Sequence, residues 1–353
     1  MLRAFAVAPP PNTRITLLSP FPDLLYSGMV PGLVAGLYAP RDCAIALEPL
    51  AARAAAVFML TCATAVDAAA QCVTGTDVGG IESVLRYDLL SIDVGGVIDP
   101  DPIAGAKEHA LLVRPIERFV AALRARVDEA CAGPRDVVVI GGGAGGFEIA
   151  LALRARLGAS ARLHLVTGGP PLLAAHSIGV RRRALRALRR RGVSVHEAAC
   201  VAVDERHVEL GTGARIDSEL AIVATGSAAP RWLRNSGLAL DANGFVATGP
   251  ALQSLSSPRV FAAGDVATRA DAARPRSGVY AVRAGPPLAH NLRCALEDRP
   301  LAPYRPQTHA LNLLSCGDGH AIASWGAWSF EGRAVWWLKD RIDRRFVALN
   351  RAA

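Results

Sequence analysis

A run of β-branched residues, Val137-Val138-Val139-Ile140, feeds directly into Gly141-Gly142-Gly143-Ala144-Gly145-Gly146-Phe147-Glu148, and this junction constrains the fold more than any other stretch of the chain. So dense an apolar run suits a parallel strand buried on both faces. Gly141, Gly143 and Gly146 fall on the GxGxxG spacing. The first glycine allows the tight turn, the second lets a pyrophosphate approach the backbone, and the third lets the following helix pack close to the strand. A helix expected from Phe147 to about Leu157 aims its N-terminal amides and the positive end of its dipole at phosphate. A merely glycine-rich turn would share the spacing, but strand, loop and helix in this order favour a dinucleotide site. Its mid-chain position implies that another unit comes first.

The 353 residues, 51% of them hydrophobic, are enough for a large core and two or three domains. The net charge of +8 is almost wholly arginine, since Lys107 and Lys339 are the only lysines. Arg181, Arg182, Arg183, Arg186, Arg189, Arg190 and Arg191 cluster on a helix whose apolar stripe is Ile178, Ala184, Leu185 and Leu188. That pattern reads as a solvated face, so no nucleic-acid partner is expected. The seven cysteines (Cys43, Cys62, Cys72, Cys131, Cys200, Cys294, Cys316) form no CxxC pair, which argues against structural zinc, implies no metal site and fits a reducing cytoplasm. No secretory leader and no membrane-length apolar run is recognised. Ala54 to Val66 reads as a helix end running into a core strand.

Along the chain, Arg14 to Ser19 reads as a buried parallel strand, and Pro20 to Gly36 as a Pro/Gly-rich loop too irregular for helix or sheet. Strands are expected at Phe58 to Val66 and within Val84 to Val94. Ile116, Phe119, Val120, Leu123 and Val127 recur at helical spacing, with Gly133-Pro134 as the stop. From Val137 the chain alternates strand, helix, strand (Arg162 to Val166), helix (about Ile178 to Arg191) and strand (Val193 to His196). Short strands follow around Val201, Val208 and Ile216. This βαβαβ unit with a β-ribbon insert closes at Leu220 to Gly226. Val260-Phe261-Ala262-Ala263 is a further strand, Pro287 to Leu296 a helix, and the tail carries Trp325, Trp328, Trp336 and Trp337.

In order along the chain, these segments resemble the pyridine nucleotide-disulfide oxidoreductase superfamily, in its type II NADH dehydrogenase-like branch. Tyr26 to Gly36 is similar to the flavin-flanking loop, Tyr87 to Gly95 to the first crossover, and Pro102 to Leu111 to the "PGxxEHAL" stretch. Ala224-Thr225-Gly226 resembles the second crossover and Val260 to Asp265 the "VFAxGD" motif. The Tyr26 loop, Ala281 to Leu292 and Lys339 to Phe346 are similar to the subfamily also found fused ahead of selenide, water dikinase.

The resemblance implies an α/β fold of two nested Rossmann-like domains with doubly wound parallel sheets and a small C-terminal α+β region. A discontinuous FAD-binding domain is expected at 1–114 and 243–300, an NAD(P)H-binding domain at 115–242 and an interface region at 301–353. The implied activity is hydride transfer from NAD(P)H to FAD, then electron transfer to a quinone-like or selenium/sulfur-related acceptor. Cofactor-binding residues are then Gly141, Gly143, Gly146, Thr167, Ala224, Thr225, Gly226, Tyr26, Ser27, Gly264 and Asp265. The implied context is cytoplasmic, peripheral to the inner face of the membrane through the aromatic tail. A homodimer and an association with selenide, water dikinase belong to the same expectation.

Three features depart from the family pattern. The first flavin-binding strand and its glycine loop are missing ahead of Arg14, and Met1 to Val7 looks like the end of the helix that should follow them. Either in-frame DNA upstream of Met1 encodes that segment, or the chain is a flavin-free, catalytically degenerate module that binds a nicotinamide dinucleotide for regulation or assembly. At the ribose position the chain has Val166-Thr167-Gly168-Gly169 where an acidic residue normally receives NAD hydroxyls. Arg283 and Ala284 replace the paired glutamines of quinone-lining relatives.

Glu148, one turn into the fingerprint helix, matches the family glutamate near the nicotinamide and flavin rings and is the candidate catalytic residue. The plain alternative is charge complementarity to the helix N-terminus. Asp265 matches the aspartate that holds the flavin ribityl chain. Lys107, Glu108 and His109 read as surface or capping residues, and Cys316 as a small buried side chain rather than a redox thiol. The Trp336 to Phe346 stretch fits either domain packing or an interfacial helix.

Overall fold

In the computed structural model, which describes residues 1–128 and 133–351, the β-branched run forms the strand Asp136–Ile140, with every residue buried. It lies at the centre of a five-stranded parallel sheet, between Arg162–Val166 and Leu220–Val223, with Val193–His196 and Ala110–Leu112 at the edges. The chain proceeds from the central strand to one side and returns on the other. The switch point at the strand's C-terminal end is therefore the glycine loop, the usual place for a ligand in an open α/β sheet.

Burial on both faces has a simple basis in the two-residue period of a strand. Val137 and Val139 join the core built on Phe147, Leu151, Val180 and Leu188 of the covering helices. Val138 and Ile140 point the other way, into a core closed by Val203, Val208 and Ile216. Those three belong to the antiparallel ribbon Cys200–Val203, His207–Leu210, Arg215–Asp217. The fingerprint helix begins at Ala144, three residues before the expected start, with Gly143 as its N-cap in an extended conformation. The loop therefore closes straight into the helix.

The arginine-rich helix Ile178–Arg190 is capped by the Ser177 hydroxyl. Its buried stripe is Val180, Ala184, Ala187 and Leu188, while Ile178 is 58% exposed. The expected register was wrong at Ile178: in the first turn Val180, 0% exposed, takes the core-facing position instead.

The other half is assembled from smaller pieces. Ile15–Ser19 pairs in parallel with the first part of the long strand Ala56–Asp67. After a bulge between Ala63 and Ala65, that strand continues as a hairpin with Cys72–Asp77, which pairs with Glu82–Arg86. Val260–Ala262 pairs in parallel with Leu90–Ile92. These two groups are not joined by strand pairing. Ile15–Ser19, at the edge of its group with one strand partner among the described residues, is part-exposed, not buried as its apolar sequence suggests.

The Pro20–Gly36 stretch is also more regular than expected. It holds the strand Asp23–Leu25, paired with Ala44–Ala46, a helical turn Ser27–Met29 and the helix Val30–Val34. Pro31 falls in the first turn of that helix, where a missing N–H is harmless. The helix expected to start at Pro287 runs from Gly278 to Leu296 with Pro286 and Pro287 inside it. Ala284, Leu288, Ala289 and Leu292 are buried against the core, and this packing outweighs the lost backbone bonds.

The helix Ile116–Val127 ends six residues before Gly133, and Cys131 lies outside the described residues. The C-terminal segment is the antiparallel sheet Asn312–Ser315, Ala321–Trp325, Trp328–Gly332 followed by the helix Arg333–Arg351. Leu314, Cys316 and Ile322 enter the fingerprint-helix core. Trp336, Phe346 and Val347 enter the core of Leu2, Phe5 and Phe261. The segment thus packs on both halves.

Candidate functional site

The glycine loop is tight where the backbone must close and open where a ligand would approach. Gly141 has φ +141°, and a Cβ there would collide with the Ala224 carbonyl; a Cβ on Gly146 would collide with the Gly141 carbonyl. Nothing lies within 4 Å of a Cβ built on Gly143, Gly145 or Gly226. The Ala224 amide donates to the Ile140 carbonyl at 2.7 Å, so Ala224-Thr225-Gly226 passes directly beside the glycine turn. At the end of the neighbouring strand Thr167 is 6% exposed, and its hydroxyl has no hydrogen-bond partner. An unpartnered buried hydroxyl is costly, and it stands where a dinucleotide ribose would supply a partner. These residues fit a nicotinamide dinucleotide.

Gly264 has φ +77°, and the Asp265 carboxylate after it accepts from Arg114 Nη2 at 2.8 Å. Arg114 Nη1 also donates to the Gly96 carbonyl at 3.3 Å. The sequence gives Arg114 no motif, and only the fold shows that it fixes Asp265. Ser27 opens a helical turn whose hydroxyl lies 3.8 Å from a Cβ built on Gly278, at the start of the long helix. Tyr26 packs on Phe346 with ring centroids 4.4 Å apart. Gly264, Asp265 and the Tyr26-Ser27 turn fit the ribityl side of a flavin. Among the described residues no second glycine fingerprint is available for its pyrophosphate.

The turn is held from the C-terminal helix by a buried ion pair. Lys339 Nζ donates to the Gly28 carbonyl at 2.6 Å and to Asp343 Oδ2 at 2.7 Å, and the two residues are 8% and 5% exposed. Burial pushes the Asp343 carboxyl upward, opposed by the Lys339 charge. Their i,i+4 spacing is visible in the sequence, but nothing there shows that the pair is buried. Its role becomes visible only with the burial.

Glu148 accepts from the Ser315 amide at 2.7 Å, tying the fingerprint helix to the C-terminal sheet. Burial pushes its carboxyl up to about 7, against the lowering effects of the Lys339 charge and the Ser315 amide. A carboxyl half-ionised near neutrality can take up or release a proton, which simple complementarity to a helix end does not require.

Other sequence candidates lie elsewhere. Lys107, Glu108 and His109 belong to the short helix Ala106–His109, beside the ribbon strand Cys200–Val203. Cys316 is buried, which pushes its thiol up to about 12, as expected of a packing residue. Arg283 is exposed and Ala284 buried. Arg183 and Arg186 each lie 3.5 Å from Glu331.

A doubly wound sheet with its glycine loop at the switch point, beside a second strand end carrying Gly-Asp, defines a dinucleotide-dependent oxidoreductase scaffold. A family profile described as pyridine nucleotide-disulphide oxidoreductase matches residues 4–291, and the chain belongs to that family. It is 27% identical over 287 residues to demethylphylloquinone reductase NdbB of Synechocystis sp., covering 78% of this chain and 71% of that one. Among solved structures, NDH2 from Plasmodium falciparum in complex with NADH superposes with a TM-score of 0.79 at 14% identity, covering 95% of this chain and 92% of that one. The sulfide:quinone oxidoreductase of Aquifex aeolicus gives a TM-score of 0.76 at 19% identity, covering 99% and 88%. These likenesses establish the nested α/β fold. By family, the protein is an oxidoreductase enzyme.

Proposed function

We propose that the protein is an FAD-dependent NAD(P)H oxidoreductase that delivers electrons to a small quinone-like or sulfur- or selenium-containing acceptor. The observation that carries this reading is the position of Glu148. It stands one turn behind the glycine loop, is bonded to the C-terminal sheet, and feels the charge of the lysine that holds the Tyr26-Ser27 turn. FAD, when bound, supplies the ring that accepts hydride and passes electrons onward.

The chain's own residues bind and orient. Gly141, Gly143 and Gly146 shape the cradle for pyrophosphate, and Thr167 offers its free hydroxyl to a ribose. A threonine there carries no charge to repel a 2′-phosphate, so NADH and NADPH are both accommodated. Ala224-Thr225-Gly226 lines the crossover. Asp265, fixed by Arg114, and the Tyr26-Ser27 turn orient the flavin side, and Glu148 holds or releases a proton at its carboxylate oxygens. In this reading residues 1–114 and 243–300 serve the flavin, 115–242 the nicotinamide, and 301–353 join the two.

The test is bound-flavin content and NADH oxidation after loading with FAD. Wild-type protein should retain FAD through gel filtration and oxidise NADH with an added quinone. Asp265→Ala should lose FAD while still binding NADH. Equal retention by both proteins would remove Asp265 from the flavin site.

A second reading concerns a surface. Trp325, Trp328 and Phe330 are each more than half exposed on one face of the C-terminal hairpin, and Trp337 is 59% exposed on the helix that follows. Among the described residues no helix is long and apolar enough to cross a membrane. The exposed aromatics beside basic residues are those of a surface that rests on a bilayer. Flotation with anionic vesicles, abolished by Trp325→Ser/Trp328→Ser, tests it.

A further inference from the structure

The sheet that begins with Ile15–Ser19 ends on an open edge at its far side. Glu82–Arg86 is its last strand, paired with Cys72–Asp77 on one side and with no strand on the other among the described residues. Just beyond its ends, the Tyr87 amide donates to the Gln71 carbonyl and the Ile81 carbonyl accepts from the Asp77 amide. Backbone groups alternate in direction along an antiparallel strand, so the odd-numbered residues bond inward. The amides and carbonyls of Glu82, Val84 and Arg86 therefore point outward, and no described segment beyond the sheet bonds to them. Their side chains are exposed too, Val84 by 64%, and the preceding Ile81 is 69% exposed. A bare edge with an exposed valine at its middle invites another strand.

The edge is presented on a fixed turn, because Asp77 Oδ1 accepts from the Gly79 and Ile81 amides at 2.8 and 2.9 Å. Glu82 and Arg86 put opposite charges at the two ends of the outward row, and neither has an ion-pair partner within 4 Å among the described residues. A second copy of the chain, related by a two-fold axis through Val84, offers the same row reversed. Val84 then faces Val84 of the partner subunit, Glu82 faces the partner's Arg86, and Arg86 faces the partner's Glu82. These are the outward-bonding residues, so each facing pair exchanges both of its backbone hydrogen bonds. On the other face of the sheet Ile81 meets the partner's Tyr87, a β-branched side chain against an aromatic ring. Moving the axis by one residue loses the match: Val84 then faces a charge, and a shift toward Arg86 sets Glu82 against Asp88.

We propose that Glu82–Arg86 is a homodimer surface, at which two copies of the chain join their sheets edge to edge and antiparallel with Val84 on the two-fold axis. Main-chain hydrogen bonds supply the attraction, as in other strand additions, and the reciprocal Glu82–Arg86 pairs fix the register. Such a contact is self-complementary and closes at two copies. The edge is short and partly charged, so the dimer is reversible and weakened by salt. The inference does not rest on the proposed activity, since Glu82, Val84 and Arg86 belong to neither the dinucleotide nor the flavin site.

Sedimentation equilibrium of the full chain over a range of concentrations tests it. Wild-type protein should pass from monomer to dimer and go no further. Val84→Pro removes an outward amide that an edge strand of a monomer does not use, and should give a monomer with the wild-type circular dichroism spectrum at every concentration. Glu82→Arg and Arg86→Glu each set like charges opposite one another at both ends of the contact, and each should weaken the dimer at least about tenfold. An equimolar mixture of these two variants restores opposite charges, as does the double variant Glu82→Arg/Arg86→Glu, and both should recover wild-type association. If Val84→Pro fails to fold, the charge variants decide alone. Three results overturn the surface: wild-type protein monomeric throughout, which leaves the edge bare or open to another protein's strand; a dimer that neither single charge variant weakens or that their mixture does not restore; or growth beyond two copies, which means pairing with the open edge of Ile15–Ser19 instead.

Discussion

The half that carries Gly141 and the half that carries Gly264 follow one plan with unequal closure. Around Gly141 the central strand has a partner on each edge and all five residues buried. Around Gly264, Val260–Ala262 is hydrogen-bonded in register to Leu90–Ile92, while Ile15–Ser19 and Ala56–Asp67 form a separate group. Similar apolar runs therefore reach different burial. What decides it is what covers each strand: Ile15–Ser19 has one strand partner and is part-exposed, whereas Val260–Ala262, also with one, is fully buried among Leu233, Leu238, Val246 and Val266. The less closed half leans on other contacts, among them the C-terminal helix. It brings a buried Lys339–Asp343 pair against the Gly28 carbonyl and sends Trp336 and Phe346 into the adjoining core.

The strongest way to break this comparison is to remove that brace. Lys339→Met leaves Asp343 buried without its cation, and breaking one side of a buried pair costs about 3–5 kcal/mol. The double substitution Lys339→Met/Asp343→Leu should recover most of the loss. Urea unfolding measures both. A single-variant cost below about 1 kcal/mol would show that the pair does not brace the turn.

The glycine loop offers an internal contrast of intermediate size. Gly146→Ala forces a Cβ onto the Gly141 carbonyl and should destabilise by about 2–3 kcal/mol, as overpacking does. Gly145→Ala meets nothing within 4 Å in the first turn of a helix. It should raise stability slightly, by about 0.5 kcal/mol or more, while weakening NADH because the added methyl occupies ligand space. Thermal melts with and without NADH distinguish them. Equal losses in both variants would mean the loop's openness is not reserved for a ligand.

Glu148 gives a smaller, pH-dependent effect. Its carboxyl is raised from 4.5 to about 7 in the folded protein. Between those values the folded state binds a proton that the unfolded chain has released. Stability associated with this group is fully present below about pH 4.5 and is lost as pH rises through 7, a change of at most about 3.5 kcal/mol. Glu148→Gln should flatten that decline. Lys339 lowers the Glu148 value, so a folded Lys339→Met/Asp343→Leu protein also tests how the neighbouring pair shifts the window. Identical pH slopes for wild type and Glu148→Gln would detach the titration from Glu148.

Much of the fingerprint half was legible in the sequence because its signals are local. Arg162–Val166 and Val193–His196 fall where strand periodicity puts them, and Gly141 and Gly146 sit where sterics demand. The Pro20–Gly36 turns and the early start of the helix at Gly278 were not, because packing rather than propensity determines them. Arg114 belongs to no motif, and the i,i+4 spacing of Lys339 and Asp343 does not reveal that the pair is buried. Their partners Asp265 and Gly28 are 151 and 311 residues away, and only the folded chain brings them together. Glu148 was found from its place behind the loop, but its bond to Ser315, 167 residues on, was invisible.

The central claim is that Glu148 works at the junction of the two halves. Anaerobic rapid mixing of the FAD-loaded protein with NADH, followed by reoxidation with a quinone, tests it most directly. Wild-type protein should lose the flavin visible band on mixing and regain it with acceptor. Glu148→Gln, retaining full FAD and wild-type NADH affinity, should slow one of these steps at least tenfold and lose the pH dependence centred near 7. A fully loaded Glu148→Gln protein that is reduced and reoxidised at wild-type rates across that range would contradict the account and leave Glu148 as a structural tie to Ser315.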